Sequence, residues 1–68
     1  MHFTIEIEQE EDGRCIGAVP DLPGVLAYGA TREDALRAVE ALAFRVMADR
    51  LEHGEASPGP VSLSVAAA

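Results

Sequence analysis

Only one stretch of this sequence is long enough and periodic enough to form a helix, and it lies among short segments that alternate with period two. From Thr31 to Gly54 apolar residues recur at helical spacing, whereas Phe3–Ile7, Cys15–Val19, Val25–Tyr28 and Val61–Val65 read as strands. A lone helix has nothing but a sheet to pack on. The order β-β-β-α-β therefore predicts an α+β two-layer sandwich. Two hairpin links make the third strand parallel to the first, and the helical crossover returns the fourth parallel to it as well. A mixed sheet ordered 3-2-1-4, with the helix across one face, satisfies every connection.

The turns carry their own chemistry. Asp12-Gly13 supplies positive φ for the first reversal. In Pro20-Asp21-Leu22-Pro23-Gly24 the ring of Pro23 presets the first corner of a type II turn, and Gly24 takes the positive φ of the second. Gly29 closes the third strand. Thr31 reads as the helix N-cap, with Glu33 and Asp34 in the first turn and Asp34 in the place of a capping-box carboxylate. The helix runs for about twenty residues. Arg50 and His53 sit near its C-terminus and Gly54 fits the left-handed position beyond it. Ser57–Pro60 is a turn or linker, and Ala66–Ala68 is expected to fray.

Size then limits what the fold can do alone. With 68 residues there is room for a single domain, spanning residues 1–68. Such a chain buries roughly 60% of its unfolded surface, and a core of this size yields about 3–5 kcal/mol. A disulfide is excluded by the lone Cys15, and Cys15, His2 and His53 form no ligand pair at usable spacing, so no metal or other cofactor is expected. Self-association into a homodimer or higher oligomer is the remaining stabiliser. Twelve acidic against five basic residues give a net charge of −7. That balance disfavours nucleic acid and anionic membranes and favours a basic protein partner. One unpaired thiol and no apolar run of about 18 residues point to the cytoplasm.

Catalytic chemistry finds little support. Three antiparallel strands, a helix and a strand resemble the opening of the ribonuclease H fold, whose two-metal hydrolysis needs carboxylates from strands and helix together. Glu6 and Glu8 of the first strand and Glu40 of the helix are present, but Val61–Val65 contains no acid, and the set cannot close. Cys15 has no neighbouring base and reads as a small buried thiol. His2 and His53 read as surface histidines. Phosphate-binding glycine motifs, a G-x-S-x-G elbow and a basic-aromatic patch are all missing. No catalytic residue is assigned.

The helix carries more apolar residues than one face requires. Leu36, Val39, Leu42, Ala43, Val46 and Met47 form a broad stripe for the sheet, with Ala35 at its edge. Ala41, Phe44, Ala48 and Leu51 fall at i, i+3, i+7 and i+10 and form a second stripe facing away, an interface candidate. On the outward sheet face Ile16 and Ala18 stand where polar residues are expected, a weaker candidate. Glu6 and Glu8 on the outward face of strand one, continued by Glu10, Glu11 and Asp12 in the hairpin, make an acidic surface.

Asp12-Gly13-Arg14, then Val19-Pro20-Asp21-Leu22-Pro23-Gly24, a short strand, and Gly29-Ala30-Thr31-Arg32-Glu33-Asp34-Ala35 resemble the HicB-type antitoxin family, with its D-G hairpin, P-[DE]-L-P-G turn and G-x-T-x-[ED]-[ED]-A helix start. The resemblance runs from strand one through the helix. It implies a partial ribonuclease H-like fold and a non-enzymatic inhibitor of a small basic HicA-like RNA-cleaving toxin. A partner-binding set follows from joining the two readings: Glu6, Glu8 and Glu11 for electrostatic recognition, with Phe44 and Leu51 or Ile16 as the apolar anchor. The family's common C-terminal DNA-binding module has no counterpart after Val65, so direct operator binding is not carried over. Cys15 stands where an aromatic residue is common, and Ala18 where a polar or acidic one is.

Overall fold

Alternation along the first strand decides which face of the sheet is covered. In the computed structural model, which describes residues 1–56 and 58–66, Phe3 and Ile5 are buried while His2, Thr4, Glu6 and Glu8 are exposed. The elements are β1 (His2–Gln9), β2 (Cys15–Ala18), β3 (Leu26–Gly29), α1 (Arg32–Glu52) and β4 (Ser62–Val65). The sheet order is β3-β2-β1-β4, with β1–β2 and β2–β3 antiparallel and β1–β4 parallel. This is the mixed α+β sandwich that the turn chemistry and the single helix dictate, with α1 packed on the inner face.

Element boundaries move for reasons of hydrogen bonding. β1 continues to Gln9 because the ladder with β2 extends through Glu8↔Ile16 and Gln9↔Cys15. The reversal that follows spans residues 10–14, in which Gly13 alone takes the left-handed conformation, φ 92°, and its N–H donates to the Glu10 carbonyl at 3.0 Å. Asp12 keeps negative φ. β3 starts at Leu26 because the Val25 N–H is spent in the type II turn, donating to Leu22 O at 3.1 Å, while Gly24 takes φ 81°. β4 starts at Ser62, whose N–H donates to Met1 O. Ala66 does not fray, since its N–H donates to Ile5 O at 2.9 Å. Ser57, Ala67 and Ala68 lie outside the described residues.

Both ends of α1 are capped. Thr31 Oγ1 accepts the Asp34 N–H at 3.1 Å, which is the N-cap half of a capping box; the Asp34 carboxylate does not return a bond to the Thr31 N–H. Beyond the last turn Gly54 adopts φ 73°, its N–H donates to Leu51 O and the Glu55 N–H to Arg50 O, the paired bonds of a Schellman motif.

The inner face packs Phe3 and Ile5 of β1, Val19, and the loop residues Leu22 and Val25 against Val39, Ala43 and Met47 of α1. Ile5, Leu22, Val19 and Val39 are the largest fully buried side chains, each contributing about 1.5–3 kcal/mol of burial energy. Leu22 is a core residue as well as a turn residue. Two glycines set how closely the layers approach. A Cβ on Gly17 would lie 2.8 Å from Val39 Cγ1 and 3.0 Å from Ile7 Cδ1. One on Gly29 would collide with the backbone of Asp34 and Ala35. Ala35 is accordingly wholly buried at the centre of the helix start, not at the edge of the stripe.

Candidate functional site

Strand register assembles a surface on the uncovered face of the sheet. Glu8 pairs with Ile16 and Ile16 with Tyr28; Glu6 pairs with Ala18 and Ala18 with Leu26. Neighbouring strands lie about 4.8 Å apart, so each row spans roughly 10 Å. The two rows form one patch: apolar on β2 and β3, acidic on β1. Leu26 and Tyr28 are 49% and 48% exposed, while Ile16 and Ala18 are half-buried. β3 is an edge strand, so this apolar corner ends at an unpaired backbone edge.

A polar chain fixes Tyr28 from the hairpin side. Asp12 accepts two hydrogen bonds from Arg14, Oδ1 from the backbone N–H at 3.0 Å and Oδ2 from Nε at 2.9 Å. The Arg14 guanidinium in turn lies 4.9 Å from the centre of the Tyr28 ring, within cation–π range. The Arg14 backbone N–H first, and then its side chain, hold the Asp12 carboxyl below its ordinary pKa. Glu10, Glu11, Asp12, Arg14 and Tyr28 line a shallow open groove here. Glu11 therefore borders the patch from the loop rather than sharing its rows.

The residues proposed from sequence divide between two layers. Glu6, Glu8 and Ile16 meet on the outer sheet face, with Glu11 at its rim. Phe44 and Leu51, 51% and 41% exposed, lie on the side of α1 that the core does not use. The sheet stands between them and the acids, so a partner seated on the acidic rows reaches Ile16 and not Phe44 or Leu51. The large exposed apolar side chains of that patch are Leu26 and Tyr28, neither of which is among the residues proposed from sequence. Carrying the inward parity of Cys15, Gly17 and Val19 across the Pro23-Gly24 turn would have found them.

His53 Nδ1 lies 3.3 Å from Asp49 Oδ1, an exposed i, i+4 pair at the end of α1. Glu6 and Glu8 are on the face opposite the helix that bears Glu40, so the three carboxylates point to different sides of the sheet. Cys15 is buried on the inner face. His2 is held between two hydroxyls of β4, Nδ1 2.7 Å from Ser62 Oγ and Nε2 2.9 Å from Ser64 Oγ, and ties the parallel strands together. Among the described residues, no group of three or more His, Cys, Asp or Glu side chains is placed to hold a metal ion, and no helix is long and apolar enough to cross a membrane. Comparisons of the chain with protein-family models, with curated proteins and with solved structures found no match.

Proposed function

We propose that this chain is a cytoplasmic HicB-like antitoxin, a non-enzymatic inhibitor that binds a small basic HicA-like RNA-cleaving toxin and covers its active surface. The observation that supports this reading is the outer sheet patch, where exposed Leu26 and Tyr28 adjoin Glu6 and Glu8 across Ile16 and Ala18 in register. A surface that binds RNA must attract phosphate. An inhibitor that presents carboxylates to it gains association rate and orientation, while an apolar centre slows release. The family motifs at Asp12-Gly13, Pro20–Gly24 and Gly29–Ala35 support the same assignment.

The test is reconstitution with a HicA-like toxin encoded beside the gene. The chain is expected to suppress RNA cleavage stoichiometrically and to leave single-stranded, duplex and hybrid nucleic acids intact on its own in magnesium or manganese. Failure to bind such a toxin, or intrinsic cleavage lost in Glu6→Gln, refutes the reading. The exposed apolar stripe on α1 favours a second reading, a solitary dimeric HicB-like domain with another protein- or ligand-binding role. Absence of any HicA-like reading frame next to the gene would select it.

A further inference from the structure

The helix stripe differs from the sheet patch in spacing and in charge, and both properties concern what can cover it. Ala41, Phe44, Ala48 and Leu51 are all exposed and follow the 3-4-3 interval of the a and d positions of a heptad. In that frame Glu40 occupies a g position and Arg45 the following e position. When two such helices lie parallel, a g residue of one faces the e residue five positions on in the other, so Glu40 would face Arg45 of the second copy, twice by symmetry. An antiparallel pairing that matches a with d would instead bring the two Arg45 side chains together across the axis. Charge over the whole chain points the same way. Arg32, Arg37, Arg45 and Arg50 stand on α1 against the five acids Glu33, Asp34, Glu40, Asp49 and Glu52, a formal charge of −1. Outside α1, Arg14 stands alone against seven acids, −6. Two copies meeting through their sheet faces would oppose their acids, whereas two meeting through α1 would not.

We infer that the outer stripe of α1 is a self-association seam, in which a second copy of this chain packs parallel to the first about a two-fold axis along the helices. Phe44 and Leu51 form its apolar layers, the small Ala41 and Ala48 let the backbones approach, and the Glu40–Arg45 pairs set orientation. The sheets then face outward on both sides, and both outer patches stay free. The seam is independent of the antitoxin reading, since it needs no toxin and uses none of the patch residues.

Three measurements on the full chain test it. In sedimentation equilibrium the wild type is a dimer, and Phe44→Glu raises the dissociation constant at least ~10-fold while circular dichroism stays that of the wild type, because Phe44 packs in no core. Glu40→Arg weakens the dimer and the swap Glu40→Arg/Arg45→Glu restores it. In a Cys15→Ala background, Ala48→Cys oxidises to a disulfide-linked dimer, since a residues of a parallel pair face their own symmetry mates at a separation a disulfide can bridge. A wild type that stays monomeric at high concentration overturns the inference. So does a dimer that survives Phe44→Glu but is lost in Tyr28→Glu, or a dimer in which Ala48→Cys forms no cross-link.

Discussion

The outer face of the sheet and the outer side of α1 both expose apolar side chains, yet their surroundings differ. The sheet patch is two rows deep and grades from Leu26 and Tyr28 at one edge to Glu6 and Glu8 two strands away. The helix stripe is one residue wide and is flanked by acids and bases in near balance. An uncompensated field selects a partner of opposite charge, whereas a compensated seam can accept its own copy. Hydrophobicity alone would have ranked the two surfaces as equals; the charges beside them tell them apart.

The largest effect comes from breaking the frame that holds both surfaces. Gly29→Ala forces a Cβ into the backbone of the first turn of α1 and is expected to cost about 3 kcal/mol. Urea unfolding reads this directly, and an unchanged midpoint would mean that β3 and α1 are not in the contact described. Next in size, Tyr28→Glu should lower affinity for a HicA-like toxin by about 2 kcal/mol, as loss of a central aromatic anchor does, while leaving self-association unchanged. Phe44→Glu should do the reverse. Titration calorimetry with the toxin and sedimentation without it sharpen the comparison, and a single variant that impaired both equally would merge the two surfaces into one. A smaller, kinetic effect is expected from replacing Glu6, Glu8 and Glu11 by Gln together. Association with the toxin should slow several-fold at low salt and lose much of its salt dependence, with little change in dissociation. A wild-type association rate would reduce the acids to a solubility role.

The smallest effect concerns pH. Because the folded state holds Asp12 below its ordinary pKa, its contribution to the hairpin is fully present above the unfolded value of about 3.9 and is lost as pH falls through the lowered folded value. The Arg14 amide resonance should therefore titrate with a midpoint below that of an unstructured aspartate. A midpoint at the ordinary value would remove Asp12 from the chain of contacts that orients Tyr28.

The sheet order was legible because the local signals agreed: Gly13 and Gly24 at positive φ, Thr31 at the helix start and Gly54 after its end each specify one geometry. The second stripe on α1 was legible for the same reason, since helical spacing is a local property. Leu26 and Tyr28 were harder. Their side depends on parity carried through a turn whose Leu22 and Val25 are themselves in the core, so composition of the segment does not show which residues face out. The burial of Ala35 was also hidden, because it results from the absent side chain of Gly29, a neighbour across two elements. That Phe44 and Leu51 lie on the other layer from the acids, while Ile16 shares their face, was not legible either, because sequence proximity says nothing about which layer lies between.

The parallel partnership of β1 and β4 bears on the order in which the molecule assembles. His2 and Ser64 meet across 62 positions, whereas the β2–β3 reversal closes over a short loop fastened by Leu22. Closing the longest loop costs the most chain entropy, so the most distant pairing forms late. Native-state hydrogen exchange should accordingly find β4 opening first, with the amides of Ser62 and Ala66 exchanging before those of β2, and the β2–β3–α1 unit persisting as the last part of the chain to come apart.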